Sequence, residues 1–193
     1  MSDAEKRALA ALAAEGAEAQ LPRQLQLLEQ LCSLDCGTGN EAGIAAVIDL
    51  LLPILSELGA QVERITEPDL GTHLWARVRP ANPRGRILLA AHLDTVFGPG
   101  FAAKHPFRIE GDWAHGLGAG ACKSGVLIAL FGALLLTQAG KLPPWEITFL
   151  FTCDAETGSP SGSRVYPREA VGADWHRGLE GGREAHKVPY VMK

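Results

Sequence analysis

Arg86-Ile87-Leu88-Leu89-Ala90-Ala91-His92-Leu93-Asp94-Thr95-Val96 contains an unbroken apolar run that ends in a polar turn. A run of this kind is expected of a strand covered on both faces, since a strand with one wet face alternates instead. Such a strand belongs in a layered α/β sheet, where functional groups gather at the strand ends. His92 and Asp94 stand at that end.

The flanking sequence supports the same class. Gln61–Ile65 and Thr72–Arg79 alternate as strands, the second with Leu74, Ala76 and Val78 on one side. Asn40 is placed to cap a helix carrying Ile44, Val47, Ile48, Leu51, Leu52, Leu55 and Leu58 at helical spacing. Pro53 should bend that helix and Gly59 end it. Residues 4–15 and 21–33 read as two helices, and residues 1–19 as a helical extension ahead of a domain spanning 20–193. Downstream, Phe107–Ile109 and Trp113–His115 flank Gly111-Asp112 as a hairpin. A helix is expected from about Cys122 to Ala139, stopped by Gly140, then a strand over Trp145–Thr152. The expectation is an α/β fold, a mixed sheet flanked by helices.

Composition removes several function classes. The formal charge of −4 over 193 residues leaves no electrostatic footprint for nucleic acid or for an anionic membrane. The N-terminus lacks the basic-then-apolar pattern of a signal sequence. The run Val126–Leu136 is shorter than the ~20 residues a bilayer needs. A cytoplasmic location is expected, with Cys32, Cys36, Cys122 and Cys153 as free thiols and small buried hydrophobes. The spacing of Cys32 and Cys36 also admits a thiol pair or a metal site.

Two further polar clusters accompany His92-Leu93-Asp94-Thr95-Val96. One is Gly116-Leu117-Gly118-Ala119-Gly120-Ala121-Cys122-Lys123-Ser124-Gly125, which opens a helix; the other, Cys153-Asp154-Ala155-Glu156-Thr157-Gly158-Ser159, closes a strand. The glycine-rich turn fits neither the phosphate-binding P-loop nor the dinucleotide fingerprint. Each cluster alone has a structural reading: a hydrogen-bonded histidine, a tight turn, a solvated acidic loop.

In this order, and with Ala173-Asp174 through Glu180 following, the clusters resemble the M20 zinc metallopeptidases, particularly the carboxypeptidase G2-like branch. The resemblance runs from about residue 20 to the C-terminus. It implies an incomplete zinc-exopeptidase-like catalytic domain, with the lid and C-terminal half absent, whose relatives hydrolyse a C-terminal amide bond in peptide or acyl-amino-acid substrates. His92 and Glu180 match ligands of one zinc and Glu156 a ligand of a second. Asp94 matches the carboxylate that orients the histidine. Two positions depart from the family pattern. Ala121 stands where the family has the bridging Asp, and Ala155 where it has the general-base Glu. A methyl group neither binds zinc nor accepts a proton, so zinc binding is expected to be weak and the chain an inactive fragment or pseudoenzyme. One half of a split active hydrolase and a non-catalytic metal- or peptide-binding module remain as alternatives. Cys122 beside Ala121 is a possible substitute ligand, though the neighbouring side chain on a helix points about 100° away.

The closing segment departs too. Pro167 falls in an expected helix, His176-Arg177-Gly178 in an expected buried strand and Pro189 in another strand. With the family's second half missing, Ile87–Ala91, Ile147–Phe151 and Val126–Leu136 are expected to lie uncovered, favouring self-association or a C-terminal partner.

Overall fold

The computed structural model describes residues 2–142 and 144–181, so Pro189 lies outside the described residues. Helix α1 (Asp3–Cys32) begins at Ser2, whose hydroxyl accepts from the Glu5 N–H while Glu5 bonds back to the Ser2 N–H. It runs unbroken, where two helices were expected. Pro22 does not break it: the surrounding residues are largely exposed, and water can serve a carbonyl the ring leaves unpaired. Gly16 lets the same helix lie against Leu135, which a Cβ there would strike.

Asn40 caps α2 (Glu41–Glu57) through the Gly43 N–H at 3.0 Å, and the helix continues through Pro53. Gly59 then turns the chain at φ 64°. Strands β1 (Gln61–Glu67), β2 (Gly71–Val78) and β3 (Arg86–His92) follow, then the short α3 (Phe101–Lys104) and a hairpin of β4 (Arg108–Glu110) with β5 (Trp113–His115). The expected helix from Cys122 is preceded by a π-helical turn, Ala119–Lys123, and becomes α4 (Ser124–Gln138). Strand β6 (Glu146–Thr152), helix α5 (Gly162–Ala170) and strand β7 (Trp175–Gly178) complete the described chain.

The five-stranded sheet has the order β1-β2-β6-β3-β7. Strands β6, β3 and β7 are mutually parallel, and β2 is antiparallel to β1 and β6, so the sheet is mixed as expected. Leu74 and Ala76 from β2 and Ile147, Phe149 and Phe151 from β6 join residues of α1, α2 and α4 in the main core. On the opposite face Leu88 and Leu150 pack with Val165 of α5.

That second layer corrects the expectation of uncovered strands. Phe149, Leu150 and Phe151 are fully buried, and most of α4 is enclosed, because α1 and α2 cover one face and α5 the other. The helical run Ala119–Gln138 is, at 20 residues, long and apolar enough on composition alone to cross a membrane, so Val126–Leu136 understated its length. Here 56% of its 18-residue apolar stretch lies inside the protein, where it serves as a core helix. Pro167 sits within α5 without ending it. His176-Arg177-Gly178 does form a strand, but at the sheet edge, so Arg177 reaches water and His176 bonds the Tyr166 hydroxyl at 3.3 Å. What stays exposed near that edge is Val171 and Trp175.

Candidate metal centre

The parallel strands β3 and β6 end together, His92 opposite Thr152, and deliver the polar clusters to one rim of the sheet. Asp94, fully buried, is the hub. Its carboxylate accepts the Thr38 hydroxyl at 2.6 Å, the Ala155 N–H at 3.1 Å, the Glu156 N–H at 3.0 Å and the His92 Nδ1 hydrogen at 3.1 Å. Burial opposes its charge, but the bonds from His92, Thr38 and Glu156 outweigh it and hold Asp94 below the ordinary carboxylate range.

With Nδ1 donating to Asp94, the outward nitrogen of His92 is Nε2, and Glu180 Oε2 stands 3.3 Å from it. Burial disfavours the imidazolium. The flanking carboxylates of Asp94 and Glu180 prevail and push the His92 pKa up to about 10.

Glu180 reaches this point because glycines let its segment press against the turn before α4. The Leu179 N–H donates to the Ala90 carbonyl at 2.8 Å, and the Gly181 N–H to the Ala121 carbonyl at 2.9 Å. A Cβ on Gly125 would collide with the Leu179 carbonyl, and one on Gly181 with the Gly120 carbonyl. The last glycine of the Gly116–Gly125 cluster therefore serves backbone approach. Ala121 lies on this turn. Cys122 is no substitute donor: it is fully buried, with its Sγ 3.6 Å from the Asp94 carbonyl and 3.7 Å from that of Gly118. Burial raises its pKa far above that of a free thiol.

Ala155 and Glu156 occupy a short 3₁₀ turn, Ala155–Thr157, with a cavity on either side. One, of about 270 Å³, is lined by Ala155, His92, Tyr166 and Glu180; the other, of about 750 Å³, by Glu156, Thr38 and the loop Thr95–Pro99. The fold thus joins His92, Asp94 and Glu180 directly and ties Glu156 to them through its backbone. Glu156 lines the larger cavity, and its carboxylate has no hydrogen bond or ion pair among the described residues.

As a metal site, this donor set offers one imidazole nitrogen and one carboxylate that converge on a single point. Zinc sites use three or four protein donors, or three and a water. Neither Ala121 nor Ala155 supplies a donor atom. The residues suit part of one ion's shell and do not fit a two-metal centre.

Thr38, His73 and Ser161 were not among the sequence candidates, yet all three are wired to the site. Thr38 bonds Asp94 across 56 residues of chain, and His73 bonds Ser161 across 88. Their only sequence signal is a lone His within an alternating apolar strand, which is otherwise read as structural.

Comparison with known proteins gives the chain's family and fold relatives. A family model described as "Peptidase family M20/M25/M40" matches residues 88–189. Carboxypeptidase G2 of Pseudomonas sp. (strain RS-16) is 34% identical over 163 residues, covering 83% of this chain and 39% of that protein. Succinyl-diaminopimelate desuccinylase of Delftia acidovorans is 32% identical over 160 residues, covering 75% and 39%. The chain spans about two fifths of the length of these relatives. Among solved structures, human carnosine dipeptidase 1 superposes with a TM-score of 0.76 at 14% identity, covering 89% of this chain and 41% of its own. A metallo-carboxypeptidase of Sulfolobus solfataricus does so with a TM-score of 0.67 at 17% identity, covering 84% and 37%. At these identities the two structures share the fold.

Proposed function

Because the chain belongs to the M20/M25/M40 peptidase family, we propose that it is the N-terminal part of a carboxypeptidase-type metal hydrolase whose catalytic centre has been disabled by two alanines. The pair formed by His92 Nε2 and Glu180 Oε2, 3.3 Å apart with Asp94 behind the ring, carries this reading. It has the form of two ligands of one zinc ion with an orienting carboxylate. A bound zinc would supply Lewis-acid polarisation of a carbonyl. In this chain Asp94 fixes the tautomer of His92 and, through two backbone N–H groups, the turn that holds Ala155 and Glu156. At position 155 a methyl replaces the group that would take a proton from water, and loss of a general base typically costs 10²–10⁴-fold in rate.

The relatives named above point to a peptide or acyl-amino-acid as the ancestral substrate class. A polypeptide that supplies further donors, or a second copy, would complete the shell that His92 and Glu180 begin. The reading is tested by incubating the purified chain with an N-acyl-glutamate and a dipeptide in the presence of zinc or cobalt. No release of amino acid above buffer is expected. Turnover that a chelator abolishes would overturn it.

A further inference from the structure

Directly beneath the Ala155–Thr157 turn lies a polar chain formed by His73, Asp154 and Ser161, each fully buried. His73 enters it from β2. The Cys153 N–H donates to His73 Nδ1 at 3.1 Å, so that nitrogen is bare and the ring hydrogen sits on Nε2. Nε2–H then donates to Ser161 Oγ at 3.0 Å, and the Ser161 hydroxyl donates onward to Asp154 Oδ2 at 2.6 Å. Asp154 also accepts the Ser161 N–H at 2.6 Å and the Gly162 N–H at 3.1 Å, where α5 begins. Each bond therefore has a single direction.

His73, Cys153 and Asp154 bring potential ligand atoms within 4.8 Å of one another. Both ring nitrogens and the Asp154 carboxylate are already committed to hydrogen bonds, and burial pushes the Cys153 thiol up to about 12. The cluster is a hydrogen-bond relay, not a second metal site.

The segment above the relay is held in an unfavourable backbone. Ser159, not a glycine, adopts φ 56°, next to Gly158 at φ 89°. Such a residue persists where its surroundings over-determine it. Asp154 grips both ends of this segment. Its carbonyl accepts the Ser159 N–H at 2.9 Å and the Thr157 hydroxyl at 3.2 Å, while its carboxylate holds Ser161 and Gly162.

We propose that His73 is a positioning residue, which through Ser161 and Asp154 fixes the turn that presents Glu156 to the larger cavity. This rests on Glu156 being a residue of the site. Asp94 then secures the outer side of the turn and the His73 relay its underside.

Amide hydrogen exchange by NMR on the full chain tests this. In Ser161→Ala and His73→Phe, protection of the Ala155 and Glu156 amides should fall at least tenfold while Ile48 and Leu51 in α2 keep theirs. His73→Asn, which returns an acceptor to Cys153, and His73→Gln, which returns a donor to Ser161, should each recover part of the protection. A global packing role would predict uniform loss and no rescue. Should His73→Phe fail to fold, Ser161→Ala carries the comparison. Unchanged protection at positions 155 and 156, or a loss spread equally over α2, overturns the proposal. Zinc chloride titration of Ala121→Asp, with and without Glu156→Gln, separately tests the reading of Glu156: identical binding in the two rejects that reading, while the exchange data still decide the role of His73.

Discussion

Asp94 accepts four hydrogen bonds from three separate segments through one buried carboxylate. Replacing it with Ala would strand the Thr38 hydroxyl and two backbone N–H groups, while the His92 ring hydrogen keeps the Asp94 backbone carbonyl at 3.0 Å. A single buried donor left without a partner costs about 1–3 kcal/mol. Asp94→Ala is therefore expected to destabilise the chain by about 3 kcal/mol or more, read as a lower urea midpoint with an unchanged slope. A loss below about 1 kcal/mol would mean that water replaces the carboxylate. The convergence of His92, Asp94 and Glu180 was legible in the sequence because strand ends and motif order mark them. Thr38, His73 and Ser161 were not, since their bonds cross 56 and 88 residues and no local pattern encodes a partner that distant.

Elements are placed by backbone approach as much as by apolar periodicity. Periodicity located α2, β2, β3 and β6 closely. It divided α1 in two because Pro22 and the glycine at position 16 resemble breakers, whereas Gly16 makes room for Leu135 and Pro22 lies in an exposed stretch. Edge position likewise explains β7, whose polar residues would be costly in a central strand. Gly125 makes the same point near the site. In a helix, Gly→Ala ordinarily gains up to about 1 kcal/mol. At Gly125 the added Cβ meets the backbone carbonyl of Leu179, which cannot rotate away as a side chain can. Gly125→Ala is expected to cost about 1–3 kcal/mol and to shift the NMR signals of Leu179 and Glu180. A neutral or stabilising effect would show that the segment moves freely over the turn.

For the whole molecule, the described residues close a core on both sides of the sheet, and the four thiols report on it. All four cysteines are buried and unpaired. Burial pushes Cys32 up to about 11 and Cys153 up to about 12, and raises Cys36 and Cys122 as well. A thiol needs both access and thiolate character to react. At neutral pH native protein should label with iodoacetamide at least tenfold more slowly than protein in denaturant, at all four positions. Rapid labelling of any one in the native state would contradict a closed core. At the rim of this core the His92 ring lies between Asp94 and Glu180, each in contact with one of its nitrogens.

On the function proposed above, His92 and Glu180 offer one two-donor metal position in place of a two-metal centre. Zinc titration by calorimetry, with His92→Ala in parallel, tests it most directly. At most one weakly held ion per chain is expected, lost in His92→Ala. Two tightly held ions per chain, or binding that His92→Ala leaves unchanged, would contradict it.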